Sequence, residues 1–292
     1  MTSGPKDASV IRLAYSVDAD DAFMFAALAT GAIAAEGLAF SHLRTDTASL
    51  NALATRQGAD VVAVSLGVYP QIADRYLLLP HGASVGRGFG PVVVAKRPIT
   101  TSELRGLRVG VPGLTTTAYL VLRLIVPDIE AVVIPIAPFA RAFEALEEEL
   151  VDAVLLIHEG RLLYEQRGYH KVVELGEWWH EQTRLPLPLG VNVIRKDLGA
   201  ALVARVSGVL SSAIGWAMDH RQELVASIAS EDRGDKALTS ATMLDRYLSM
   251  YANEDTIRMA PDVRHAIDVL FSRARAAGLI MDDVTVSWAP AG

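Results

Sequence analysis

Short apolar runs alternate with amphipathic stretches from residue 11 to residue 195, and this alternation limits the fold more than any other feature of the 292-residue chain. Apolar runs of strand length separated by helical patterns are the mark of a largely parallel sheet covered by helices. Ile11–Tyr15, Val61–Ser65, Pro91–Lys96, Leu107–Val111, Val132–Ile136, Ala153–Ile157, Lys171–Leu175 and Val191–Arg195 read as strands. Helices are expected over Ala22–Thr30, with Asp20 or Asp21 as N-cap, and over Thr116–Ile125, Phe139–Leu150, Glu159–Arg167 and Glu177–Thr183. Pro186 and Pro188 hold the following segment extended. From Gly199 to about Gly278 the pattern is helical, with breaks near Asp232–Gly234 and Pro261.

One arrangement accounts for a late strand that comes after a complete α/β series. Residues 1–98 and 191–292 make a discontinuous first domain, and residues 99–190 make a second domain inserted in it. Val92–Lys96 and Val191–Arg195 are then the two crossing strands, with a cleft between the domains. This is an α/β fold with the layout of the type II periplasmic-binding-protein class. Length agrees, since a chain of this size makes about two domains.

Composition narrows the chemistry. With 0 Cys, there is no disulfide, zinc ribbon, iron–sulfur cluster or thiol nucleophile. The 34 acidic against 27 basic residues argue against a nucleic-acid partner. Ala201–Met218 is apolar, but Arg205 and several serines interrupt it, so it reads as a buried helix and not a membrane span. Asp18, Asp20 and Asp21 precede the apolar run Ala22–Ala35 where a secretory signal would carry Lys or Arg, so a cytoplasmic protein is expected.

His158 is the sharpest candidate for chemistry. It closes the apolar run Leu155-Leu156-Ile157, and ligands of open α/β sheets bind beyond the carboxyl ends of strands. Imidazole titrates in the range of a general base, and Glu159 is placed to orient it. A buried structural histidine fits the same text. Gly113-Leu114-Thr115-Thr116-Thr117 lies between a strand and a helix, where N–H groups and hydroxyls suit an anion. Ordinary capping by threonine explains those residues equally well. The glycines of Gly82–Pro91, Gly86 and Gly88 among them, allow close approach to a ligand or a tight turn. Their spacing is not a dinucleotide fingerprint, and no helix follows. Asp18, Asp20 and Asp21 fit helix capping better than a metal site. Trp178-Trp179 reads as packing, and the histidines other than His158 as surface or structural groups.

Several stretches together resemble one family. They are Ser16…Asp21-Ala22-Phe23, Gly86-Arg87-Gly88-Phe89-Gly90-Pro91, Val111-Pro112-Gly113 with Thr116-Thr117-Ala118-Tyr119, and Ile157-His158-Glu159-Gly160-Arg161 with Tyr164. Leu175-Gly176-Glu177-Trp178-Trp179 and Leu185-Pro186-Leu187-Pro188-Leu189-Gly190 complete the set. The chain is similar, over about residues 11–198, to the menaquinone-biosynthesis family that includes 1,4-dihydroxy-6-naphthoate synthase. That resemblance implies a cytoplasmic lyase with the binding-protein fold and no metal or organic cofactor. The substrate it implies is a small carboxylate, cyclic de-hypoxanthine futalosine, opened with carbon–carbon cleavage. It makes His158 the base and Thr116, Thr117 and Ser65 substrate contacts, with Ser16, Asp20, Gly86 and Gly88 in the matching motifs.

The first motif departs from the family. Its usual text is SPCPNDTF, and here it is Ser16-Val17-Asp18-Ala19-Asp20-Asp21-Ala22-Phe23. A lysine common two positions before the cleft serine is Ala63, His180 replaces an acidic residue, and Asn192 replaces an apolar one. The local change is toward negative charge, which disfavours an anionic ligand in a cleft of low dielectric. Two alternatives therefore stand beside the futalosine-route lyase. One is a paralogue acting on another cyclic or aromatic acid, for example by a chorismate dehydratase-like reaction. The other is a non-catalytic binding protein of the same fold.

Overall fold

The computed structural model describes residues 10–135, 138, 140–231, 240–281 and 283–291. The expected break at Asp232–Gly234, the strand end at Ile136 and the helix start at Phe139 lie outside the described residues.

The chain opens with β1 (Val10–Ser16), two short helices α1 (Ala19–Met24) and α2 (Ala26–Thr30), β2 (Ala39–Thr45), α3 (Thr47–Thr55) and β3 (Val61–Ser65). β4 (Tyr76–Leu78) and β5 (Ser84–Gly86) follow. These strands, with the later β11 (Leu187–Arg195), form a six-stranded sheet in the order β2-β1-β3-β11-β4, with β5 also paired to β11. β1 runs parallel to β2 and β3, whereas β11 runs antiparallel to β3, β4 and β5. β3 is buried at every position, which is why it reads as a continuous apolar run.

A five-stranded sheet holds β6 (Val92–Ala95), β7 (Arg108–Val111), β8 (Glu130–Val133), β9 (Ala153–Leu156) and β10 (His170–Glu174), in the order β10-β6-β9-β7-β8. Helices α4 (Thr117–Ile125), α5 (Ala140–Glu147) and α6 (Leu175–Thr183) connect its strands or lead out of it. The chain passes from the first sheet to the second between β5 and β6, and returns through α6 into β11. One apolar cluster joins the two sheets, with Val62, Val64 and Val193 of the first packed in a common core with Val93, Val109 and Leu155 of the second. Each fully buried Val or Leu contributes roughly 1.5–3 kcal/mol.

The remaining chain is helical: α7 (Ala200–Asp219), α8 (Arg221–Ala229), α9 (Ala241–Tyr251), α10 (Glu254–Ile257) and α11 (Pro261–Ala276). By length and composition α7 could cross a membrane. Its residues Val203, Val206, Val209, Leu210, Ala213 and Ile214 are instead buried in the protein, as expected of a core helix.

Several expectations need correction. The helix read as Ala22–Thr30 begins at Ala19 and is broken at Phe25, whose φ of −100° and ψ of 4° leave the helical region. Its N-cap position is Asp18, so Asp20 and Asp21 lie in the first turn and neither is the cap. β2 and α3 had no strong signal: β2 is an edge strand with the half-polar text Ala-Phe-Ser-His-Leu-Arg-Thr. A 3₁₀ turn over His158–Leu162 stands in place of the helix expected to Arg167. β11 begins at Leu187 and includes Pro188, which pairs with Val85.

Candidate active site

A cleft of about 700 Å³, its mouth included, opens between the two sheets. Ser16, Asp20, Ser65, Thr116, Thr117 and His158 all line it. These come from the ends of β1, β3 and β9, from α1, and from the start of α4, so the fold gathers residues that are up to 142 positions apart. Gly86 and Gly88 do not line it. A Cβ on Gly86 would stand 1.9 Å from the Phe89 carbonyl oxygen, and Gly88 has φ +78° with nothing near its Cβ position. Their freedom serves the loop's own turn, which Arg87 ties down through Asp255 and Asp262.

His158 follows β9 directly, and its φ of +50° is unusual for a residue with a side chain. Strain of this kind costs roughly 1–3 kcal/mol and persists where the surroundings fix it. Here the surroundings hold both ring nitrogens. Nε2 lies 3.2 Å from Asp18 Oδ2 and 3.2 Å from Thr47 Oγ1, and Nδ1 lies 3.4 Å from the Tyr247 hydroxyl. Tyr247 donates to Asp20 Oδ1 at 3.2 Å, and Ser84 donates to Asp20 Oδ2 at 2.7 Å. Burial, with Asp20 beside it, raises the Tyr247 phenol well above its ordinary range, so the hydroxyl keeps its proton. Glu159, expected to orient the ring, accepts from the Ala19 N–H and so fixes the start of α1. Asp18, His158 and Glu159 present ligand atoms within 4.8 Å of one another, a set that a divalent cation could use.

Asp18, Asp20 and Asp21 are therefore more than capping residues. All three are buried. Asp21 accepts from the Ser16 N–H at 2.6 Å. Burial first, and then the Asp20 carboxylate, push the Asp21 carboxyl up to about 7 against that hydrogen bond.

The opposite wall is neutral. Ser65 ends β3, and its N–H donates to Asn51 Oδ1 at 2.9 Å. Asn51 Nδ2 donates to Thr115 Oγ1 at 3.1 Å. Both threonine hydroxyls are already engaged. Thr116 Oγ1 donates to the Gly113 carbonyl and accepts from the Tyr119 N–H, and Thr117 Oγ1 donates to the Leu189 carbonyl and accepts from the Gly67 N–H. Thr116 is thus the N-cap of α4. With the Tyr119 N–H taken by the Thr116 cap, what the wall offers a ligand is the Thr117 and Ala118 N–H groups at the start of α4 and the Ser65 hydroxyl. The two walls are linked by α3. Thr47 touches His158 and Asn51 holds Ser65, one helical turn or about 6 Å apart.

Sequence reasoning missed Thr47, Asn51, Ser84 and Tyr247 as parts of this site. Asp46, whose side chain accepts from the Ser49 N–H, was a readable start for α3. Tyr247 had no such sign, since a tyrosine on an amphipathic helix most simply packs in a core.

A family model described as menaquinone biosynthesis matches residues 11–276. The chain belongs to the menaquinone-biosynthesis family. Its curated relatives include the 1,4-dihydroxy-6-naphthoate synthase of Streptomyces coelicolor, 34% identical over 290 residues, with 94% of this chain and 95% of the relative covered. That of Thermus thermophilus is 33% identical over 269 residues, covering 92% and 95%. A solved structure from Archaeoglobus fulgidus superposes with a TM-score of 0.87 at 39% identity, over 94% of this chain and all of that one. The alkanesulfonate-binding protein of Xanthomonas axonopodis, 16% identical, superposes with a TM-score of 0.69 over 96% and 97%. The family is thus built on the periplasmic-binding-protein fold, and the chain belongs with menaquinone biosynthesis.

Proposed function

We propose that this protein is a lyase that converts cyclic de-hypoxanthine futalosine to 1,4-dihydroxy-6-naphthoate, with His158 as general base. The observation that carries the reading is His158 itself: a strained residue at the end of β9, on the cleft, with both ring nitrogens held. The two units expected from the sequence, residues 1–98 with 191–292 and residues 99–190, close on the substrate and exclude water, although β6 (Val92–Ala95) of the first of them pairs in the second sheet. The substrate carboxylate lies at the neutral wall, against the first turn of α4, Ser65 and the backbone of Thr116 and Thr117. Its reacting end faces His158, with Ser16 and Asp20 beside it. His158 takes a proton from the substrate as the carbon–carbon bond breaks, and the imidazolium returns it to the departing fragment. No metal or organic cofactor takes part, and the protein works in the cytoplasm.

The test is incubation of the purified protein with the cyclic substrate, reading release of the naphthoate by chromatography. Product formation that persists after chelation supports a cofactor-independent lyase, and no product at high enzyme concentration overturns the reading. His158→Ala should lower kcat by about 10²–10⁴-fold with the melting temperature retained. Near-full activity in that variant would remove His158 from the mechanism. The buried Asp18 and Asp20, which stand where the family motif has uncharged residues, favour a second reading with a less anionic cyclic acid as substrate. Parallel assays of related cyclic acids separate the two.

A further inference from the structure

Tyr247 and Tyr251 stand one turn apart on α9, and both line the cleft. Their hydroxyls differ. That of Tyr247 is engaged by Asp20 and His158. That of Tyr251 makes no hydrogen bond with any described residue. Asn192 Oδ1 is sealed off without a partner, but the Tyr251 oxygen is not. The residue as a whole is only 4% exposed. Its ring is fixed by an edge-on contact with Phe89, the centroids 5.5 Å apart, and by a tilted contact with Tyr247 at 5.1 Å. Burial raises the phenol further above its ordinary range, so the hydroxyl keeps its proton to donate. A donor already held in place binds a ligand without first having to be ordered.

The charges nearby limit what this hydroxyl can hold. Among the described residues no Lys or Arg lines the cleft. Arg161, whose charge reaches the phenol, is spent on the Gly90 carbonyl and on Glu174. The Asp20 carboxylate also acts on the phenol, and it does line the cleft. A ligand carboxylate beside Tyr251 would face that anion with no free cation to offset it, whereas a neutral oxygen meets a donor. We infer that Tyr251 is a substrate-binding residue whose hydroxyl donates to a neutral oxygen on the ring that the carboxylate does not carry. The inference rests on the reading of the product as 1,4-dihydroxy-6-naphthoate. In that product the carboxylate is on one ring and both hydroxyl oxygens are on the other. With the carboxylate at the start of α4, the oxygen-bearing ring falls toward α9, where Tyr251 stands. Tyr251 then distinguishes an oxygenated ring from a plain one, because a ligand without those oxygens gains nothing from the hydroxyl.

The test is Tyr251→Phe, which removes one oxygen and keeps both ring contacts. Because the hydroxyl has no partner among the described residues, the melting temperature should stay within about 2 °C of the unsubstituted protein. Calorimetric titration of both full-length proteins, under argon to keep the dihydroxy compound reduced, uses two ligands. One is 1,4-dihydroxy-6-naphthoate. The other is 2-naphthoate, which has the same rings and the carboxylate at the equivalent position but neither hydroxyl. The Kd of the dihydroxy compound should rise about 3–10-fold in the variant, as for one neutral hydrogen bond, while that of 2-naphthoate changes less than about twofold. An unchanged Kd for the dihydroxy compound overturns the assignment. So does an equal rise for both ligands, which would mean that the variant alters the shape of the site. A melting temperature lower by more than about 5 °C would give the hydroxyl a structural role instead. Failure of either naphthoate to bind the unsubstituted protein overturns the reading of the substrate, and this assignment with it. Binding of both without discrimination by Tyr251 overturns the assignment alone.

Discussion

The two walls of the cleft are built from similar local parts and carry opposite electrostatics. Each is a strand end followed by a helix start: β1 into α1 on one side, β7 into α4 on the other. The first buries three aspartates, Asp18 against a histidine, Asp20 against a tyrosine and Asp21 on the Ser16 N–H. The second turns its threonine hydroxyls onto backbone groups and leaves the Thr117 and Ala118 N–H groups for a ligand. A helix N-terminus favours an anion in either place. At α1 the protein supplies its own anions, and at α4 it supplies none. The contrast orients an anionic substrate: its carboxylate belongs at α4 and its neutral, reacting part at His158.

The largest effect is expected where the acidic wall is most crowded. Asp21 has a folded-state pKa of about 7, raised from 3.8. Between those values the folded protein binds more protons than the unfolded chain, so stability falls as pH rises from about 4 to 7 and levels off above. The loss amounts to about 4 kcal/mol at most, from a shift of about three pK units. Asp21→Asn keeps an acceptor for the Ser16 N–H and carries no charge. Its melting temperature relative to the unsubstituted protein should rise steadily over that pH range and be highest at pH 8. A difference that is flat with pH would mean that the acidic wall does not store repulsion at Asp21.

Asn51 tests whether the walls are coupled. It is fully buried, and it holds the Ser65 N–H and Thr115 one turn of α3 away from the Thr47–His158 contact. Asn51→Ala strands those partners, at about 1–3 kcal/mol for each buried group left unsatisfied. Urea denaturation should show a midpoint shift of that size, and KM should rise more than kcat falls. A fall in kcat with KM unchanged would place Asn51 with the histidine wall instead.

The difference between the walls also explains what the sequence makes legible. Strands β3 and β9 are buried throughout and β1 and β11 largely so, which lets period and composition reveal them; the strand-end rule then points to His158, whereas Ser65 came from the family resemblance. Thr116 and Thr117 are read from their place at a helix N-terminus; Thr116 turns to local partners, but which way the Thr117 hydroxyl points depends on Gly67 and Leu189, contacts distant in sequence. Asp18, Asp20 and Asp21 read as capping residues because capping is local, whereas their partners His158, Ser84 and Tyr247 lie from 64 to 227 residues away in sequence or arrive from a second sheet. The glycine loop misled for a related reason. Gly86 needs its missing Cβ for the chain's own carbonyl at Phe89, and text alone does not tell a close ligand from a close backbone.

The smallest effect is expected at Ser65, and it is the sharpest probe of the neutral wall. Its N–H is already bound to Asn51, so the hydroxyl is what it offers to the cleft. Ser65→Ala removes that group without leaving the backbone unsatisfied, so the melting temperature should hold within about 2 °C, a change of under roughly 0.5 kcal/mol. A hydrogen bond from a hydroxyl to a bound carboxylate is worth about 1.5–3 kcal/mol, whereas a neutral acceptor gains about half of that. KM should therefore rise roughly 10-fold or more if the substrate carboxylate lies at this wall, and only a few-fold if a neutral part of the substrate does. kcat should be unchanged in either case if the group binds ground state and transition state alike. A fall in kcat at constant KM would put the reacting atoms against Ser65. The substrate would then lie the other way round, with its carboxylate facing Asp20 and Asp21, and the contrast between the walls would not be what orients it.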